Sequence, residues 1–224
     1  VSGPALEHCR LGAIIFTSEQ TGLVSDMCGA LFVTSDGGAT WERRRSPASS
    51  MGTGLQVGAL LADGSLLLAG NQSKQVLRSV DGGATWSSVP TPSSQWVYAL
   101  AHRGSAVWAC GSDGLVLRSA DFGQSWALTK PAGTNSDDRC VSLSVLDDKR
   151  AWVAGWYGHV FETNDGGETW KALAPLPLEP KRAGDRSVSV LVRYDEHLAW
   201  VSGPAGTLRT LAGGKTWSPV RVDA

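Results

Sequence analysis

The chain has 224 residues, 42% of them hydrophobic, and its 20 Lys and Arg nearly balance 21 Asp and Glu for a formal net charge of -1. That balance excludes a global field drawing it onto nucleic acid or an anionic membrane, and leaves any electrostatic partner to a local patch. Apolar runs such as Leu66-Leu67-Leu68-Ala69 are strand-sized, well short of the ~18 residues of a membrane span.

The chain opens on Val1 rather than Met, which reads as a mature or trimmed form and leaves room for a signal peptide removed ahead of residue 1. In the first unit Leu11 to Phe16 reads as a strand, Leu23 to Gly29 as a second and Ala30 to Val33 as a third. The third enters the octapeptide Thr34-Ser35-Asp36-Gly37-Gly38-Ala39-Thr40-Trp41, and a fourth strand begins at Trp41 and ends near Pro47. The second unit repeats this order with Gln56 to Leu61, Ser65 to Gly70, Val76 to Arg78 and a box ending at Trp86. The third has Trp96 to Ala101, Ala106 to Gly111, Leu115 to Arg118 and a box ending at Trp126. The fourth has Val141 to Leu146, Ala151 to Gly155, His159 to Glu162 and a box ending at Trp170. The fifth has Val188 to Val192, Ala199 to Gly203, Thr207 to Arg209 and a box ending at Trp217.

The five box tryptophans are 45, 40, 44 and 47 residues apart, inside the roughly 40 to 50 residues of a four-stranded propeller blade. The expected fold is therefore all-β, a β-propeller of about five four-stranded blades in one domain over 1–224, with blades near 11–47, 55–90, 96–131, 140–175 and 187–222. Within each box glycine supplies the positive φ of a tight hairpin, and Asp36, Asp81, Asp121 or Asp165 accepts the N–H groups left unpaired by the turn. Trp41, Trp86, Trp126, Trp170 and Trp217 then cover its apolar side. Box three has Phe122 and Ser125, and box five has Ala212 for the Asp; both turns are expected to be less well tied. Trp108, Trp152 and Trp200 share one second-strand position and read, with the box tryptophans, as core.

The pattern Ser/Thr-x-Asp-x-Gly-x-Thr-Trp resembles the Asp-box (BNR) repeat across all five units. The fuller unit from Arg150 to Gly167 looks most like the photosystem II stability/assembly factor family and its exported relatives. The resemblance implies a non-catalytic scaffold that binds a protein partner, a membrane protein or complex under assembly, in an exported compartment (periplasm, lumen or extracellular). It implies no cofactor.

Turns between strands three and four share one end of a propeller with those between strands one and two, so the boxes are expected to tile one face. The variable segments, Glu42 to Gly54, Ser88 to Gln95, Thr129 to Arg139 and Leu173 to Ser187, with Asn71 to Gln75 and Trp156 to His159, fall at the other, where binding is normally placed. The partner-binding candidates on that face are Arg43, Arg44, Arg45, Arg139, Lys181, Arg182 and Arg186 as a basic patch, Trp96, Trp156 and Tyr157 as aromatic anchors, and His159. Arg78, Arg118 and Arg209 share a third-strand position and read as structural.

Asp boxes are also similar to those of sialidases, so a carbohydrate-active protein, hydrolase or lectin, is the alternative. Glycosidic chemistry needs two placed carboxyls, and the five first strands contain no Asp or Glu. They offer Gly12, Gly58, Ala99, Ser142 and Ser189, suited to a narrow, filled channel. Cys9, Cys28, Cys110 and Cys140 and the scattered histidines have no metal-ligand spacing. Cys28 and Cys110, each before a repeat glycine, read as small packed side chains; a disulfide involving Cys9 or Cys140 stays open.

Overall fold

The computed structural model describes residues 9–44, 54–70, 75–134, 139–178 and 187–220. The fold is all-β: among the described residues twenty strands form five four-stranded sheets, each made of strands consecutive in sequence, the arrangement of a five-blade propeller. Sheet one holds β1 (Leu11–Phe16), β2 (Gly22–Asp26), β3 (Leu31–Thr34) and β4 (Glu42–Arg44). Sheet two holds β5 (Leu55–Leu60), β6 (Leu66–Gly70), β7 (Gln75–Ser79) and β8 (Ser87–Pro90). Sheet three holds β9 (Val97–Arg103), β10 (Ala106–Gly111), β11 (Val116–Ser119) and β12 (Ala127–Leu128). Sheet four holds β13 (Cys140–Val145), β14 (Ala151–Gly155), β15 (Val160–Thr163) and β16 (Lys171–Ala172), and sheet five β17 (Val190–Arg193), β18 (Ala199–Gly203), β19 (Gly206–Thr210) and β20 (Ser218–Pro219).

The chain forms two compact units. The first runs to Val107 and includes Ser119–Ala127; the second comprises Trp108–Arg118 and everything from Leu128. Burial follows strand position. Second strands β2, β6, β10 and β14 are buried along their whole length, as continuous apolar runs covered on both faces demand. Fourth strands β4, β12, β16 and β20 are exposed and begin one residue beyond the box tryptophan. Among the described residues they run two or three residues, and β12 and β16 stop short of the blade ends expected near 131 and 175.

First strands adjoin their neighbours closely, and this explains their small residues. In the first unit a Cβ on Gly12 would overlap the Leu55 carbonyl, and the Ser25 hydroxyl accepts Ala13 N–H at 2.9 Å while donating to Leu55 O at 3.1 Å. In the second unit the Ser142 and Ser144 hydroxyls accept the N–H groups of Leu191 and Arg193 at 2.9 and 3.0 Å. The small side chains of first strands thus serve sheet-to-sheet approach. Apolar residues of β1 and β17 stay exposed, Ile14 at 65% and Val190 at 51%.

The cysteines correct the sequence reading. Cys28 and Cys110 are disulfide-bonded, Cys9 to Cys28 and Cys110 to Cys140, with Cα separations of 6.0 and 5.5 Å. Repeat register showed where Cys28 and Cys110 sit, but the partner comes from the chain entering a first strand, which carries no repeat signal. Cys110 is fully buried as well as bonded.

Candidate functional site

The Asp boxes set the frame for everything else. In box one the Thr34 hydroxyl donates to Asp36 Oδ1 at 2.7 Å and accepts Gly38 N–H at 2.8 Å; Thr40 gives its N–H and hydroxyl to the two carboxylate oxygens at 2.9 and 2.6 Å. Boxes two and four repeat the set around Asp81 and Asp165. The hydroxyl of the following Thr, then its amide, holds the Asp36, Asp81 and Asp165 carboxyls down at about 2 from the usual 3.8. Box three departs from the expectation. Burial pushes the Asp121 carboxyl up, but the bonds from Ser125, Ser119 and Gln124 outweigh it and hold it below its ordinary value. That turn is as well tied as the others, with Phe122 at φ 56 where they have glycine. Box five is the weaker one, as expected: among the described bonds, Thr210 accepts from Ala212 and Gly214, and no carboxylate joins it.

Four of the five boxes dock on their own sheet's first turn, through Gly37 N–H to Gln20 O, Phe122 N–H to Ser105 O, Gly166 N–H to Lys149 O and Gly213 N–H to His197 O. Boxes and first turns therefore share one end of each sheet, and the connections leaving second and fourth strands share the other. The tryptophans lock neighbouring sheets of one unit: Trp170 meets buried Trp108 edge-on at 5.8 Å, and Trp217 meets Trp152 at 6.2 Å. Trp41, Trp86, Trp126 and Trp170 are half-buried, as is Trp200, while Trp217 is buried. Arg78 donates to Phe122 O at 2.8 Å and pairs with Asp63 at 3.0 Å, and Arg118 donates to Asp148 O at 2.8 Å. Both have the structural role read from their position; Arg209 is exposed.

At the irregular end, the second unit places two candidates, Tyr157 and His159, in one groove and a third, Arg139, at an adjoining cavity. A Cβ at Gly155 would overlap the Arg139 carbonyl, so glycine there lets the incoming chain cross the end of β14. The Cys110–Cys140 bond fixes the next residue. Arg139 is thereby placed, exposed, beside a small cavity of about 30 Å³ that also touches His159 and Phe161. The turn of 3-10 helix at Trp156–Gly158 carries exposed Tyr157 at φ 68. His159 follows, its ring edge-on to Phe161 at 6.2 Å.

Beyond the small cavity lies a groove of about 430 Å³, lined by Tyr157, His159, Phe161, Leu173, Leu176 and Leu178 among others. Its origin is local. The β15–β16 ladder ends where Leu173 N–H bonds Val160 O at 2.9 Å. Pro175 and Pro177 cannot donate to a continued ladder, so the departing chain splays away and leaves the groove. The ionisable side chains lining the cavity and groove are Arg139, His159 and Tyr157; no carboxylate is among the described ones. Sequence reasoning missed the apolar wall. Its signal was the alternation Leu173-x-Pro175-Leu176-Pro177-Leu178, too rich in leucine for a plain linker.

The other candidates are not brought into that groove. In the first unit Arg43 and Arg44 are exposed successive residues of β4, so their side chains leave opposite faces of the sheet. Arg44 pairs with Glu42 at 2.9 Å. Trp96 is half-buried beside Tyr98, with ring centroids 6.1 Å apart. Arg45, Lys181, Arg182 and Arg186 lie outside the described residues, as does the side chain of Trp156. Among the described residues no helix is long and apolar enough to cross a membrane.

Fold and repeat together define an Asp-box (BNR) repeat propeller. The chain is one related to the photosystem II assembly factors: residues 132–224 match the family model described as Photosynthesis system II assembly factor YCF48. Over 104 residues, 45% of this chain and 31% of the relative, it is 29% identical to Photosystem II assembly lipoprotein Ycf48 of Synechococcus sp. (strain CC9902). Over 152 residues, 68% of this chain and 39% of the relative, it is 29% identical to the Dispase autolysis-inducing protein of Streptomyces mobaraensis. The chain thus spans well under half the length of these curated relatives.

Solved structures with the same fold include YCF48 from Cyanidioschyzon merolae, at TM-score 0.66 and 14% identity over 96% of this chain and 73% of that one. YCF48 bound to D1 peptide matches at 0.62 and 16% identity over 94% and 66%. An inactive virginiamycin B lyase from Staphylococcus aureus, solved with quinupristin, matches at 0.72 and 12% identity over 99% and 74%. At these identities the likeness is one of fold.

Proposed function

We propose that the protein is a non-catalytic propeller scaffold that captures a protein partner on its irregular end, as an assembly or stability factor for a membrane protein complex. One observation carries this reading: Tyr157 and His159 line an apolar groove of about 430 Å³ that the sheet ladder leaves open, and Arg139 lines the small cavity that shares His159 and Phe161 with it. An open apolar groove edged by polar side chains suits a chain segment rather than a small reacting group. The family relation supports the assembly role, and a propeller of the same fold is described bound to a peptide.

The carboxylates with depressed pKa do not favour the carbohydrate-active alternative. Asp36, Asp81, Asp121 and Asp165 are each engaged by box hydroxyls and amides, and Asp147 and Asp195 by the N–H groups of their own turns. A general acid needs the opposite, a raised pKa. An exported location fits the two disulfides, since such bonds persist in oxidising compartments.

The test is capture from a native membrane extract. Replacing Arg139 and His159 by Glu is expected to leave the melting temperature within a few degrees and to remove the partner, whereas replacing Arg43, Arg44 and Arg45 by Glu weakens capture more mildly. Unchanged capture by both variants would refute the reading. Turnover of oligosaccharides, or their raising the melting temperature, would transfer the case to the alternative.

A further inference from the structure

We infer that the fifth Asp box is a carboxylate-binding site: its turn keeps the donors that hold an aspartate in the other four boxes, and a carboxylate from outside the chain takes the place opened by Ala212. The site lies at the regular end of sheet five and stands apart from the function proposed above. Its turn is already shaped. Thr210 accepts Ala212 N–H at 3.1 Å and Gly214 N–H at 3.0 Å, Lys215 N–H reaches Ala212 O at 3.3 Å, and Gly213 and Gly214 have φ of 60 and 78. Box two, which carries Asp81, makes the same three bonds at 3.4, 2.8 and 3.4 Å, with φ of 70 and 92 at Gly82 and Gly83. In boxes one to four the opening hydroxyl donates to the carboxylate at 2.7 or 2.8 Å. The closing Thr or Ser adds its N–H at 2.9 or 3.0 Å and gives its hydroxyl to the second oxygen. Box five has the same three donors in Thr210 and Thr216, and none of them meets an acceptor among the described residues. Thr210 is 1% exposed, and a buried donor whose bond is unmade is costly.

The place is reachable from solvent. Thr216 and Lys215 are exposed, and Ala212, Gly213, Gly214 and Lys215 line a groove of about 240 Å³ between the edge of sheet four and the box. Val220 N–H bonds Thr207 O at 2.9 Å, so the chain leaving β20 leads away from the turn. Charge alone does not select an anion here. Glu162 and Glu196 line the groove with Lys171, Lys215 and His197; Glu162 stands opposite Lys171 in the ladder, and Glu196 lies 3.7 Å from Arg150. What selects a carboxylate is the convergence of two hydroxyls and an amide on two oxygens, and charge-assisted bonds of that kind are stronger than neutral ones. The same donors hold the Asp36, Asp81 and Asp165 carboxyls at about 2, which shows that the set favours the ionised form. The bound group is a free small carboxylate or the side chain of an aspartate on another protein; both offer the turn the same two oxygens.

Backbone-amide NMR at neutral pH, with sodium acetate replacing sodium chloride at constant ionic strength, reads the site. The Thr216 amide is expected to move along a saturable curve while those of Thr40, Thr85 and Thr169, already bonded to a carboxylate, stay still. Ala212→Asp ties a carboxylate into the turn and is expected to abolish the titration. Thr216→Val keeps the amide, removes the hydroxyl and is expected to weaken acetate binding about ten-fold. Acetate is likewise expected to raise the melting temperature of the unaltered protein above its value in chloride, and not to do so for Ala212→Asp. A capped glycine-aspartate-glycine tripeptide, with its asparagine counterpart as blank, separates the two sources: binding about ten-fold tighter than acetate assigns the carboxylate to a protein segment, and equal or weaker binding assigns it to a small acid. A Thr216 amide that responds no more than that of Thr85, or a titration that persists in Ala212→Asp, overturns the inference.

Discussion

At the scale of single residues, one carboxylate decides how firmly a hairpin is held. Asp36 takes three bonds from Thr34 and Thr40, and the corresponding place in the fifth box is Ala212, with Thr210 and Thr216 still present to meet a carboxylate. Ala212→Asp is therefore expected to stabilise the protein by about 1 kcal/mol, the scale of a helix-cap or turn carboxylate, read as a shift of the urea midpoint at unchanged slope. A midpoint that does not move would mean that the fifth turn is already fully satisfied. Phe122 makes the complementary point. Box three, expected with box five to be less well tied, holds the bonds to its carboxylate, because the carboxylate and hydroxyls of that box survive and only the backbone conformation is strained.

At the scale of the element, the second-strand glycine is what lets a sheet receive its incoming chain. Gly70, Gly155 and Gly203 each face a carbonyl oxygen of the residue just ahead of the first strand, from Gly54, Arg139 and Ser187. Gly155→Ala forces backbone against backbone, and is expected to cost about 2 to 3 kcal/mol and to weaken capture by displacing Arg139. Gly64→Ala, where a Cβ meets nothing but φ is 82, is the control: a smaller loss of about 1 kcal/mol with capture intact. Equal losses at both positions would show that conformation, not crossing, sets the cost.

Strand order, strand type and the box bonds were legible in the sequence because they repeat; five copies of one pattern identify a role for each position. What did not repeat was not legible. The partners of Cys28 and Cys110 lie on entering chains of differing length, and the groove wall of Leu173, Leu176 and Leu178 exists because Pro175 and Pro177 end a ladder in one sheet. Tyr157 and His159 were found as loop residues, but the strain on Tyr157 needs a backbone angle to be seen. The three arginines at 43–45 read as a patch, yet alternation along β4 separates Arg43 from Arg44.

At the scale of the whole molecule, the repeated carboxylates act together on stability. Asp36, Asp81 and Asp165 titrate at about 2 when folded, against 3.8 for the free side chain. A folded-state pKa that is depressed contributes stability fully present above the unfolded value and lost as pH falls through the folded one. The melting temperature is therefore expected to be flat with respect to these groups above about pH 4 and to fall steeply between pH 4 and 2. Asp165→Asn should flatten that slope; an unaltered slope would place acid sensitivity elsewhere.

The likeness of one hairpin to the next has a cost in assembly. Every sheet forms from neighbouring strands, so folding can start at several hairpins at once, and nothing within a box distinguishes the first from the fourth. A growing chain could stack its modules out of sequence. Only features that differ from joint to joint can prevent that, such as the serines of β13 that meet β17 and the Cys110–Cys140 cystine that joins β10 to β13. Oxidation, on this view, records the correct order of stacking.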